Sequence, residues 1–160
     1  MLRNVESKDA PSLCEIYNHY IAHTVITFEE NPVSPDEMHQ RILNVTASFP
    51  WFVYEDQGNI TGYAYATKWK ERSAYRNSVE ATVYLHPSAT GKGIGSALLE
   101  RLFAELRTRQ VHAILGGVAL PNSASVALLE KFGFQKVGHL KEVGFKFGQW
   151  IDVGYWQALL

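Results

Sequence analysis

The stretch that most constrains the fold runs from Val79 to Ser96, V-E-A-T-V-Y-L-H-P-S-A-T-G-K-G-I-G-S. Apolar and polar side chains alternate from Val79 to His86. Val79, Ala81, Val83 and Leu85 fall on one face and Glu80, Thr82, Tyr84 and His86 on the other, the period-2 pattern of a half-buried strand. Pro87 has no N–H to donate to a ladder, so the strand stops there. Gly91, Gly93 and Gly95 follow, and Ile94, Ala97, Leu98, Leu102 and Leu106 then recur at helical spacing. The glycines therefore stand at a helix N-terminus, where unpaired N–H groups point outward. Bare backbone and the positive end of the helix dipole make this a prepared anion site, and a phosphorylated cofactor is the natural occupant. The ordinary alternative is that the glycines only make the turn.

The spacing narrows the choice of phosphate. In a Walker P-loop the lysine follows four spacer residues and a second glycine, whereas Lys92 lies inside the triplet. A dinucleotide fingerprint fits poorly, because the third glycine comes one residue early and no acidic residue lies about 20 residues on.

Around this unit the chain reads as β-α-α-β-β-β-α-β-α-β-β. Leu2 to Val5 is a short strand, Asp9 caps a helix with Pro11 in its first turn, and Leu13, Ile16, Tyr17, Tyr20 and Ile21 form that helix's apolar stripe. Ser34-Pro35-Asp36-Glu37 is a capping box, so a second helix starts there and ends before Pro50, burying Met38, Ile42, Val45 and Phe49. Between the helices Thr24 to Pro32 is a loop of the kind that walls a substrate site, although Glu29 and Glu30 read first as solvated surface. Trp51 to Glu55 and Ile60 to Thr67 are strands joined by a Gly58 hairpin. Lys68 to Arg76 then mixes four cations with Trp69 and Tyr75, either a basic surface loop or an anion clamp. Val111 to Val118 is a strand containing Gly116-Gly117, and Asn122 N-caps a helix that carries Val126, Leu129 and Phe132 and closes at Gly133. The aromatic tail from Phe134 to Leu160 makes two or more bent strands, its Trp150, Tyr155 and Trp156 suited to core or subunit interface. Helices after the two late strands predict parallel crossovers in a mixed sheet.

At 160 residues the chain fits a single domain (1–160) that buries about 68 to 70% of its unfolded surface. A net charge of −1 with scattered Lys and Arg argues against a nucleic-acid partner. The lone Cys14 has neither a disulfide partner nor a metal-ligand cluster, so it reads as packing, and no metal is called for. With no apolar leader and no membrane-length apolar run, no membrane partner and a cytoplasmic location are expected.

Thr90 to Gly95 resembles the acyl-CoA signature R/Q-x-x-G-x-G/A of the GNAT N-acetyltransferase family, with threonine where arginine or glutamine is usual. W-K-x-R-x-A-Y (69–75), E-A-T-V-Y (80–84) and G-F-K-x-G-x-W-x-D-V-G-x-W-Q (144–157) further resemble its phosphinothricin and methionine sulfoximine N-acetyltransferase branch, nearly end to end. The resemblance implies an α/β (α+β) fold, a mixed, mostly antiparallel twisted sheet of about seven strands flanked by four helices. It implies direct transfer of the acetyl group of acetyl-CoA, as co-substrate, to the α-amino group of a small amino-acid analogue, and it implies a homodimer.

Only a neutral amine attacks a thioester, so a proton acceptor is required, and Glu80 on the strand before the glycine turn is the candidate. The resemblance places the phosphates on Thr90, Gly91, Lys92, Gly93, Ile94, Gly95 and Ser96, and the pantetheine arm on Asn122 and Ser125 beside a parting of strands at Gly116-Gly117. The oxyanion falls on backbone N–H groups of Val83, Tyr84 or Leu85, where the family's strand is irregular. Leu129 occupies the position of the usual tyrosine acid, so water, Tyr84 or unassisted thiolate departure remain open. Phe28, Glu29, Lys70, Arg72 and Tyr75 are the implied acceptor-binding set. Phe147 replaces a histidine of some branch members. A non-catalytic acyl-CoA sensor, or an acceptor such as a polyamine or peptide N-terminus, are the competing readings.

Overall fold

The computed structural model describes residues 1–160. Its elements are β1 (Leu2–Asn4), α1 (Ala10–His23), α2 (Pro35–Thr46), β2 (Trp51–Asp56), β3 (Asn59–Lys68), β4 (Ser78–Leu85), α3 (Ile94–Thr108), β5 (Ala113–Ala119), α4 (Ser123–Lys131), β6 (Gln135–Lys146) and β7 (Gln149–Leu159), in the expected order. The seven strands form one mixed sheet, β1-β2-β3-β4-β5-β7-β6, antiparallel everywhere except between β4 and β5. Both crossovers are parallel, as expected, and they differ in whether the joined strands are neighbours. The β4–α3–β5 unit joins neighbours in parallel, but after α4 the chain enters β6 at the edge and β7 inserts between β5 and β6, so the second crossover skips a strand.

Two cores lie on opposite faces of the sheet. On one, Leu98, Leu102 and Leu106 of α3 pack on Phe52, Ala64, Val79 and Ile114 with Leu129 and Trp156. On the other, Leu13, Ile16 and Ile21 of α1 and Met38 and Ile42 of α2 pack on Trp51, Val53 and Tyr63. Cys14 is buried there as packing. The alternation of β4 sends Val79, Ala81, Val83 and Leu85 toward α3 and Tyr84 toward α1.

Three local expectations are corrected. Ser34 Oγ accepts from Glu37 N (3.1 Å), but the Glu37 carboxylate turns to Arg41 (2.6 Å), so the capping box is half formed. Asp9 precedes α1, yet its carboxylate bonds Arg3 and the Glu6 N–H and does not cap that helix. The irregularity expected in β4 is absent from its pairing with β3, which runs unbroken from Lys68↔Val79 to Gly62↔Leu85. It lies on the other flank, where β4 meets β5 only through Ser78↔Ala113, Val79↔Ile114 and Glu80↔Leu115. Beyond that point β5 follows β7 as far as Ala119↔Val153, and a slot opens between β4 and β5. No helix is long and apolar enough to cross a membrane.

Candidate active site

The parted strands open into a cavity of about 820 Å³ that runs from the first turn of α3, across Gly116 and Gly117, to the loop between α1 and α2. At one end Gly91 and Gly93 hold φ of 74° and 79°, a region that strains residues with a Cβ. The first helical bond of α3 is made by Ala97 N–H to Gly93 O (3.1 Å), so the amides of Ile94, Gly95 and Ser96 have no intrahelical acceptor. No acidic residue sits in this first turn, and Lys131 reaches Ser96 Oγ at 2.9 Å, adding positive charge. These features suit a phosphate group.

The side chains of the glycine turn divide. Thr90, Gly91, Gly93, Gly95 and Ser96 line the cavity, but the exposed Lys92 side chain does not, and the Ile94 side chain is buried in the α3 core. Ile94 can serve only through its amide. The Thr90 hydroxyl donates to Pro87 O (3.1 Å) and shapes its own turn. Across the slot, Asn122 and Ser125 also line the cavity, although Asn122 Oδ1 is held as N-cap by Ser125 N–H (3.1 Å).

Glu80 forms the last β4–β5 pair before the slot and is the one charged residue lining the cavity. No hydrogen bond within the protein holds its carboxylate. Burial raises its pKa above the ordinary glutamate value, with the charge of Lys70 pulling the other way. A carboxylate so placed can accept a proton from an ammonium group at the slot.

Register identifies the backbone donors. His86 N–H bonds Thr61 O (2.8 Å) and Ser78 O accepts from Trp69 N–H (3.3 Å), so the even-numbered peptide groups of β4 face β3. Those of Val83 and Leu85 face the slot, beyond the last pair with β5. Tyr84 N–H therefore serves the sheet. The Tyr84 ring is packed against Tyr17, Tyr20 and Tyr63, and burial drives its pKa far above the ordinary range, keeping it a neutral donor. Leu129 is buried against Gly116.

The acceptor-binding set is only partly assembled in this chain. Phe28 lines the cavity and lies against Gly144 of β6. Glu29, expected at the surface or beside the acceptor, is gripped by Arg41 (2.6 and 2.9 Å) and by the Tyr17 hydroxyl. Lys70 lies 5.0 Å over the Trp69 ring, near enough to influence Glu80. Arg72 and Tyr75 are exposed at a short 3-10 turn, Ser73–Tyr75, and do not line the cavity.

Sequence reasoning missed Leu140, Val143, Val153 and Tyr155, all of which line the cavity. Tyr155 corrects the assignment of the tail aromatics to core or interface, although Trp156 is core. The alternation Ile151, Val153, Tyr155 was a usable signal for one face of β7, but nothing in it shows which face meets Glu80. Lys146, buried at 1% exposure, donates from Nζ to Thr27 O (2.8 Å) and ties the α1–α2 loop to β6. No group of three or more His, Cys, Asp or Glu is arranged to hold a metal.

Comparison with known proteins follows the same lines. Residues 2–154 match the family described as acetyltransferase (GNAT) domain. The chain is 38% identical over 157 residues to phosphinothricin N-acetyltransferase of Streptomyces coelicolor, covering 96% of this chain and 92% of that protein. It is 34% identical over 160 residues to the L-methionine sulfoximine/L-methionine sulfone acetyltransferase of Salmonella typhimurium, covering 99% and 94%. The crystal structure of a GNAT superfamily phosphinothricin acetyltransferase from Sinorhizobium meliloti in complex with acetyl-CoA superposes with a TM-score of 0.97 at 37% identity, covering 100% and 88%.

Proposed function

Because the chain belongs to the acetyltransferase (GNAT) family, with acetyl-CoA as co-substrate, we propose that its cleft acetylates the α-amino group of small amino-acid analogues of the phosphinothricin, methionine sulfoximine or methionine sulfone type. The observation that carries the reading is Glu80, an uncommitted carboxylate of raised pKa at the point where β4 and β5 part. It takes the proton of the acceptor's ammonium group, directly or through one water, and frees the lone pair for attack. The N–H groups of Val83 or Leu85 stabilise the developing oxyanion. The amides of Ile94, Gly95 and Ser96 hold the phosphates, with Asn122 and Ser125 beside the pantetheine arm. Leu129 cannot protonate the departing sulfur. A thiol pKa of about 8.5 makes departure as thiolate tolerable, with Tyr84 or water as donors near the slot.

We further read residues 1–160 as one acetyltransferase domain working in the cytoplasm as a homodimer. Exposed Val143, Phe145, Phe147 and Trp150 on the β6–β7 hairpin supply an apolar surface, and light scattering at low micromolar concentration should return twice the chain mass. The deciding experiment measures CoA thiol release from acetyl-CoA with methionine sulfone, methionine sulfoximine, phosphinothricin, plain amino acids, spermidine and a peptide amine. Turnover led by the tetrahedral sulfur and phosphorus analogues is expected. Turnover confined to spermidine or the peptide would reassign the acceptor, and acetyl-CoA binding without turnover would make the protein a sensor.

A further inference from the structure

We infer that Tyr155 binds the α-carboxylate of the acceptor, with Lys70 supplying the countercharge, and so selects amino acids over other amines. The inference rests on the function proposed above. Tyr155 on β7 pairs with Gly117 on β5, which places its side chain on the Glu80 face of the sheet. A Cβ on Gly117 would lie 3.1 Å from Tyr155 Cε1 and 3.3 Å from Glu80 Oε1. The base and the phenol thus flank one strip of bare backbone, close enough together that a side chain at this position would press on both.

An acceptor whose amine meets Glu80 brings its carboxylate to the same corner. The two groups share one carbon, so the carboxylate carbon lies about 2.5 Å from the nitrogen. Glu80 repels that second negative charge unless donors answer it. Arg41 is spent on Glu29 and Glu37, and neither Arg72 nor Lys70 lines the cavity, but the charge of Lys70 is felt at Glu80. Tyr155 has its hydroxyl unbonded within the protein, and the edge-on contact of its ring with Trp69 (5.5 Å, 75°) steadies it. Burial, with the charge of Glu80 acting in the same direction, raises its pKa above the ordinary tyrosine value, so it stays an O–H donor wherever Glu80 is ionised. Lys70, held over Trp69, delivers its charge to the same corner.

The test compares methionine sulfone with its α-carboxamide, which keeps the amine and the side chain and loses the negative charge. In Tyr155→Phe, KM for methionine sulfone should rise about tenfold or more, the worth of a hydrogen bond to a charged group, while KM for acetyl-CoA holds. The preference for acid over amide in kcat/KM should shrink by the same factor, and Lys70→Gln should shrink it independently. An unchanged acid-to-amide preference in both variants overturns the inference. So does a fall in kcat at constant KM with a displaced pH profile, which would put Tyr155 in proton transfer. In either case the wild-type enzyme still acetylates methionine sulfone, whereas a wild type that binds acetyl-CoA and acetylates no amino acid removes the proposed function, and this assignment with it.

Discussion

Strand β4 is zipped to β3 from Lys68↔Val79 to Gly62↔Leu85, whereas its contact with β5 ends at Glu80↔Leu115. On the first flank every even-numbered peptide group is spent on the sheet. On the second, the N–H groups of Val83 and Leu85 are left facing a slot, while the Leu85 carbonyl accepts from the Tyr20 hydroxyl (2.6 Å). The same contrast appears in two tight glycines. A Cβ on Gly62 would come within 2.6 Å of Leu85 Cδ2, a packing contact, while one on Gly117 would intrude between Glu80 and Tyr155. One flank is closed by the protein's own side chains, and the other is shaped for a ligand. What separates them is how far pairing continues, since a peptide group released from a ladder is available to something else.

The largest test of this contrast is Glu80→Gln, which should lower kcat by about 10² to 10⁴ with the fold intact. In the wild type, kcat/KM should rise with pH as Glu80 loses its proton, and the acid limb should lie above the ordinary glutamate pKa of about 4.3, because burial shifts the group upward. The variant should lack that limb. If its pH profile and turnover match the wild type, the slot flank does not hold the base.

Gly117→Ala ranks next, with a loss of about 10² in kcat/KM, because the new methyl displaces the base or the phenol by a fraction of an ångström. Its melting temperature should stay near that of the wild type. Gly62→Ala is its mirror image, expected to cost about 1 to 3 kcal/mol in denaturant unfolding while activity per folded molecule is kept. If Gly62→Ala lost turnover and Gly117→Ala lost stability, the division between the flanks would collapse.

Arg41→Ala should act least, raising acceptor KM a few-fold by loosening the loop that carries Phe28. Arg41 depresses the Glu29 carboxyl, with burial opposing. The contact therefore contributes above the ordinary carboxylate pKa and is lost as pH falls through the depressed one. Acceptor KM in Arg41→Ala should accordingly approach that of the wild type at acid pH, and a constant gap across pH would mean that the loop is held otherwise.

Much of the fold was legible because its signals are local. Alternation in β4, glycines with positive φ before α3, proline at the first position of α2 and the Asn122 cap all act within a few residues. Glu80 was legible too, being a carboxylate on the strand that leads into the anion turn. Tyr155 was not, since a tail tyrosine has an ordinary home in a core. Glu29 misled because its partner Arg41 lies on a different element.

By itself the chain's pattern determined the strand–glycine turn–helix unit, the order of elements and the residue able to act as base, since backbone sterics and side-chain periods operate over one or two turns. Only the tertiary structure decided where β5 leaves β4, that β7 inserts beside β5, and that Tyr155 comes to rest against Gly117. The reason is register: which residues of two distant strands lie opposite one another depends on how both sheet faces pack, and no short window of sequence contains that information.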